Sequence, residues 1–198
     1  VKTSDEVIRR ELAVIPGEEL NTVKLDASRR RRENLGYFKE PGGVEIFPVD
    51  SGVDKYKDVN ITLSEKNTGT LNFGAGFSSI DNLVGFVDIT QTNFDLWNSP
   101  SFTGGGQKFR MGLKYGAKRR DFVLSLIEPW FMDQRLALGG EVFYRELNYL
   151  SDVYDQRQIG TAFSLRKPIG VNGSLKFEYK LQQVKIHNLE GDASDAIR

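Results

Sequence analysis

The spacing of apolar residues along the chain changes once, near residue 68. Upstream of that point Val7, Ile8, Leu12 and Ile15 recur at helical spacing, behind a Thr3-x-x-Glu6 pair with capping-box geometry. Pro16-Gly17 ends that helix. A second helix is expected from Asn21 or Thr22 to Leu35, with Val23, Leu25, Ala27 and Leu35 as its apolar members and Gly36 as its left-handed cap. Residues 44–49 (VEIFPV) read as a short strand, Asp50-Ser51-Gly52 as a turn, and 56–65 as a second strand with Val59, Ile61 and Leu63 on one face. The order is helix, helix, strand, strand.

Downstream the period is two. Leu71, Phe73, Ala75 and Phe77 alternate with Thr70, Asn72, Gly74 and Gly76. The same alternation recurs around Leu83–Ile89, Phe109–Tyr115, Phe122–Leu126, Leu136–Tyr144, Ile159–Leu165 and Leu175–Leu181, which makes seven strands of mostly 9–11 residues with their flanks. Turn residues separate them at Asp81-Asn82, Gly104–Gly106, Gly116–Arg119 and Asn172-Gly173. A soluble sandwich, with its apolar face inward, and a transmembrane barrel, with its apolar face toward lipid, give identical alternation, so the pattern leaves both open. Two features lean toward the barrel. Long charged side chains such as Arg110, Glu141, Arg145, Lys176 and Glu178 occupy the polar face, and Phe77, Tyr115, Trp130 and Tyr144 lie near strand ends.

Composition removes several classes of function. The 198 residues carry 27 Lys+Arg and 27 Asp+Glu, so no bulk field draws the chain to nucleic acid. Cysteine is absent and His187, expected in a loop after the last strand, is the single histidine. That excludes a disulfide scaffold, a cysteine nucleophile and a multi-histidine metal site. No run of 18 apolar residues is present. Arg29–Arg32 read as a solvated helix face with one stem laid along apolar surface. Gly104-Gly105-Gly106-Gln107 lacks the Lys-Ser/Thr of a phosphate loop. A start at Val1 with no signal-peptide pattern, and a polar tail at 190–198, read as an internal segment of a longer protein.

Several stretches carry a family resemblance. Residues 3–12 (TSDEVIRREL), Pro16-Gly17-Glu18 and Leu35-Gly36-Tyr37-Phe38 resemble a polypeptide-transport-associated (POTRA) domain. Residues 65–69 (EKNTG) into 71–77 (LNFGAGF), then 128–131 (EPWF), 138–144 (LGGEVFY) and 165–179 (LRKPIGVNGSLKFEY), are similar in order and spacing to the start of the barrel in the outer-membrane β-barrel assembly (BamA) family. The resemblance implies an α+β POTRA domain over residues 1–66, lacking its first strand, followed at 67–198 by seven strands of an antiparallel sixteen-stranded transmembrane barrel. It implies a cell outer membrane location with the N-terminal domain in the periplasm, no enzymatic activity and no cofactor. Its implied partners are unfolded outer-membrane proteins, periplasmic lipoprotein subunits and outer-membrane lipid, with no nucleic acid. The implied site is the lateral-gate strand Thr70, Leu71, Asn72, Phe73, Gly74, Ala75, Gly76 and Phe77, where client strands would add. Gly74 and Gly76 either weaken a seam there or relieve crowding. The POTRA edge strand Val44, Glu45, Ile46 and Phe47 is a second candidate, blunted by Pro48, and Pro129, Trp130 and Phe131 are expected to anchor the periplasmic rim. The chain departs from the family at Arg32, where the resemblance leads one to expect an apolar residue on the second helix, and at residues 94–103 (FDLWNSPSFT), which lengthen a turn.

Overall fold

The computed structural model describes residues 2–79, 82–151, 154–170 and 173–187. Asp81 and Asn172 of two expected turns, and the tail 190–198, lie outside the described residues. The chain divides into two compact units, residues 1–68 with 92–106, and residues 69–91 with 107–198. A linear division at residue 66 does not anticipate the inclusion of 92–106 in the first unit.

In the first unit α1 spans Asp5–Arg9 and α2 spans Thr22–Glu33, followed by β1 (Val44–Asp50) and β2 (Lys57–Leu63). The cap of α1 is Ser4, whose Oγ accepts from Val7 N at 3.4 Å, and not Thr3. The Thr3 hydroxyl is taken by a distant partner, Asn93, so capping passes to the next residue. The helix stops well short of Ile15, which is exposed. On α2 the Asn21 side chain accepts from Val23 N and Lys24 N, and Gly36 follows the helix at φ +71°. The buried stripe of α2 is Leu25, Ser28 and Arg32, while Val23, expected to be inward, is exposed. Ser28 earns its place by hydrogen bonds: its Oγ donates to Lys24 O at 2.7 Å and accepts from Ala13 N at 2.9 Å. Arg32 is fully buried in the apolar slot, with Nε and Nη2 donating to Ile8 O at 3.4 Å. Loss of solvent lowers its pKa, opposed by the nearby Glu11 carboxylate. The core proper joins Val7, Leu25, Tyr37, Phe38, Val44 and Ile46, with Val59, Ile61 and Leu63 packed against it. The antiparallel pair β1–β2, with Ile46 opposite Ile61, supplies its floor.

The second unit is one antiparallel sheet in chain order: β3 (Gly69–Ser78), β4 (Asn82–Phe94), β5 (Gln107–Gly116), β6 (Arg119–Glu128), β7 (Ala137–Ser151), β8 (Tyr154–Ile169) and β9 (Gly173–His187). No second sheet packs on it among the described residues, which removes the sandwich. Strands β7 to β9 run 15, 16 and 15 residues, longer than expected from the apolar alternation. The excess is mostly polar strand beyond the apolar band (145–151 RELNYLS, 154–158 YDQRQ, 182–187 QQVKIH), where the two-residue period is weak. His187 accordingly ends β9 opposite Asp155 and does not lie in a loop.

Register aligns the apolar positions into one band. Leu71, Phe73 and Phe77 face Ile89, Val87 and Leu83 across β3–β4. Phe122 lies between Leu113 and Tyr144, Leu124 between Met111 and Val142, and Leu165 between Leu138 and Phe177. The band is exposed, with Phe73, Leu124, Phe163 and Phe177 all open to the surroundings. Past Tyr144 the same face turns charged. Tyr144 Oη donates to Glu146 at 2.5 Å, and Arg120 and Arg157 lie 3.8 and 4.0 Å from that carboxylate. The opposite face carries ion pairs, Arg110 with Asp88 at 2.9 Å and Arg119 with Asp121 at 2.7 Å, and Lys176 with Glu178.

Candidate functional site

Strand β3 is one end of the sheet. Residues 69–78 pair with β4 on one side, and no described strand pairs with the other. The eight expected gate residues, Thr70 to Phe77, lie on this terminal strand, as 173–187 lie on the other terminal strand β9, with Leu71, Phe73 and Phe77 exposed on the apolar face. The two glycines of the polar face differ. A Cβ at Gly74 would meet the Phe86 ring at 3.0 Å, so the absence of a side chain there makes room for Phe86. A Cβ at Gly76 would meet nothing within 4 Å among the described residues. The Gly–aromatic device recurs on β7–β8, where Phe143, the one buried apolar residue of this sheet among those described, lies over Gly160.

Strand β1 has β2 on one side and a groove of about 390 Å³ beside it, lined by Arg29, Glu33, Glu45, Ile46 and Phe47. Val44 and Ile46 point into the core while Glu45 and Phe47 stay outside. Arg29 Nη2 donates to Ile46 O at 3.4 Å, so a backbone acceptor of this strand already has a weak side-chain partner.

In the connection from β6 to β7, Trp130 N donates to Glu128 Oε1 at 3.0 Å and Phe131–Asp133 make one 3₁₀ turn. The Arg135 guanidinium sits 5.5 Å from the Trp130 ring centroid. Pro129, Trp130 and Phe131 are all half-buried; the exposed apolar residue of this turn is Met132, which the sequence pattern does not single out.

The connection from β4 to β5 was also not singled out as a site, yet it carries the densest polar network of the first unit. Asn93 is buried, its Nδ2 donating to Thr3 Oγ1 at 2.8 Å and its Oδ1 accepting from Gly106 N at 2.9 Å. Ser4 N donates to Gly104 O at 2.9 Å, and the Tyr37 hydroxyl donates to Gly106 O at 3.3 Å. Close approach explains the glycines. A Cβ at Gly104 would lie 2.3 Å from Lys2 O, and one at Gly106 would lie 2.4 Å from Arg10 Nη2. Both also have positive φ, +115° and +75°. Beside this network Glu65 receives Lys2 N at 2.6 Å and Thr3 N at 2.7 Å. Burial alone would raise the Glu65 pKa, but hydrogen bonds from the Thr3 hydroxyl and these two N–H groups outweigh it and leave the carboxyl below its ordinary value. The signal that points to this network is the Gly104–Gly106 run, which reads as a plain turn until its neighbours are known.

An α+β unit joined to an antiparallel sheet whose continuous apolar face is exposed defines an outer-membrane barrel protein with an attached domain. Comparison with known proteins agrees. Residues 1–66 match the POTRA family (surface antigen variable number repeat) and residues 101–197 match the Omp85 superfamily domain. The outer membrane protein assembly factor BamA of Nitratidesulfovibrio vulgaris is 24% identical over 197 residues, 100% of this chain and 23% of that protein. BamA of Neisseria meningitidis is 29% identical over 166 residues, 84% of this chain and 19% of that protein. The crystal structure of BamA from Haemophilus ducreyi lacking POTRA domains 1–3 superimposes with a TM-score of 0.75 at 27% identity, covering 94% of this chain and 34% of that one. The chain is a BamA-like segment, with a POTRA domain followed by part of an Omp85-type barrel, of the outer membrane and with its POTRA domain on the periplasmic side. It spans about a quarter or less of the curated relatives it matches.

Proposed function

We propose that the chain is the working edge of a non-enzymatic factor that assembles β-barrel proteins in the outer membrane, by offering β3 as a template for an incoming strand. The observation that supports this reading is the place of β3 in the chain: it stands at one end of the described sheet, as β9 does at the other, and of the two it alone follows the POTRA residues directly. An edge strand presents a row of N–H and C=O groups, and an extended client strand satisfies them in one step without nucleotide or cofactor. Apolar client residues then fall beside Leu71, Phe73 and Phe77 on the lipid side. Gly76, with no side chain to pack, lowers the stability of this seam and leaves it able to open.

In the same reading β1 holds extended clients in the periplasm, an incoming strand displacing Arg29 from Ile46 O. Pro129, Trp130 and Phe131 steady the periplasmic rim, and lipoprotein subunits and outer-membrane lipid complete the set of partners. The test is photo-crosslinking in the complete parent protein during assembly of a client barrel. A crosslinker at Asn72 or Gly76 is expected to trap client; one at Ser125, inside the sheet between Arg110 and Glu141, is not. Equal adducts at all three positions, or none at β3, would sink the templating reading.

A further inference from the structure

We infer that the β4–β5 connection is a membrane-surface contact, which seats Leu96 and Trp97 in the periplasmic leaflet of the outer membrane. Trp97 is 87% exposed, the highest value among the exposed large apolar residues described, and Leu96 beside it is 44% exposed. An indole held in water by a floppy loop would say little, but this loop is built. Phe94 and Phe102 stack at 5.9 Å with ring planes 8° apart. Asp95 N donates to Phe102 O at 3.1 Å, Phe102 N to Asn98 O at 2.6 Å, and Asn98 Nδ2 to Thr103 O at 2.8 Å. Asn93 and the glycines tie its base to Thr3, Ser4 and Tyr37. The tip is therefore presented in a fixed conformation, and inserting it costs little ordering entropy.

Three observations select lipid as the occupant. The loop is the chain's direct connection between two strands whose apolar residues belong to the exposed band, so it follows and precedes membrane-spanning sequence within a few residues. From residue 95 to 106 the only charged side chain is Asp95, and its carboxylate turns back to accept Trp97 N at 3.0 Å. A protein partner recognised by charge finds nothing to pair with there. The backbone N–H groups of Asp95, Trp97 and Phe102 and the carbonyls of Asn98, Phe102 and Thr103 are bonded within the loop, so these groups are not offered to an extended peptide. A rigid, uncharged tip carrying an amphipathic indole is the chemistry that partitions to the bilayer interface. The periplasmic unit is thereby anchored at the membrane surface by a tip of its own.

The test uses the complete parent protein folded into phosphatidylethanolamine/phosphatidylglycerol vesicles, with and without brominated acyl chains. Subtracting the emission of Trp97→Phe isolates the fluorescence of Trp97. The expected result is a blue-shifted emission, at least about half of it quenched by brominated lipid and little by aqueous iodide. Emission at the position of an indole in water, quenched by iodide only, overturns the proposal. Emission shielded from both quenchers also overturns it, because a protein then covers the tip. Should Trp97→Phe fail to fold, a nitroxide on Ser99→Cys in this cysteine-free stretch gives the same decision. Greater accessibility to oxygen than to an aqueous nickel chelate supports lipid contact, and the reverse overturns it.

Discussion

Phe38 and Phe73 are the same side chain in the two units, 2% and 76% exposed respectively. Around Phe38 the POTRA unit hides its apolar residues from water and leaves polar ones outside. The barrel strands do the reverse, aligning apolar side chains on an exposed face and pairing charges on the other. The first unit is stabilised by removing apolar area from water, whereas the second needs a surrounding that is itself apolar. The same alternation along a strand therefore has opposite energetic meaning depending on what lies against it.

The comparison can be broken most directly at these two phenylalanines. Phe38→Ala is expected to cost the POTRA unit about 3–5 kcal/mol, because a buried ring leaves a cavity. Phe73→Ala in the bilayer should cost less, since lipid chains fill the space. Chemical denaturation of the vesicle-reconstituted protein measures both, and equal losses would erase the distinction. Next in size is a charge placed on each face of one strand. Leu124→Arg on the lipid side of β6 should cost about 2–4 kcal/mol of folding into bilayers. Ser125→Arg, one residue along and on the polar face, should be close to neutral.

Within the POTRA unit, Asn93→Ala removes the donor to Thr3 Oγ1 and the side-chain acceptor of the Gly106 N–H and is expected to cost about 1–3 kcal/mol. Faster amide exchange at Gly106 and Ser4 would report it. Arg32→Met keeps the apolar stem and removes a desolvated charge, so stability should be unchanged or up to about 1 kcal/mol higher. A marked loss in urea titration would show that the bonds to Ile8 O matter more than desolvation. The smallest effect is the pH response of Glu65. Its folded pKa lies below the unfolded value, so its contribution is present above about pH 4.5 and is lost as pH falls through the lower folded value. Amide exchange at Lys2 and Thr3 should rise across that interval, and Glu65→Gln should flatten the response.

Much of the fold is legible in residue order because periodicity is local. The span of α2, its Gly36 terminator, the β1 and β2 strands and the apolar phase of all seven sheet strands follow from spacing alone. What was misread has common causes. Thr3 looks like a helix cap until Asn93, 90 residues away, takes its hydroxyl. Arg32 looks misplaced until its stem is seen filling the slot between the helices. Strands β7 to β9 outrun their apolar segments, so their mostly polar ends were faint in a hydrophobic pattern. The proposal for β3 rests on resemblance, since no local feature of Thr70–Phe77 sets this strand apart from the other six. The β4–β5 network was not legible at all. Its glycines are meaningful only beside Lys2 and Arg10.

The amino-acid sequence by itself determined the two periods and their boundary, and with them which residues share a face. It also excluded thiol and multi-histidine chemistry by composition. Tertiary structure decided whether the described strands form one sheet or two, in which register they pair, and which glycine yields to a ring. It also decided that residues 92–106 fold with a domain that ends 24 residues before them. The reason is physical: periodicity is a property of neighbours along the chain, whereas strand register, close approaches and buried hydrogen bonds depend on groups that only folding brings together.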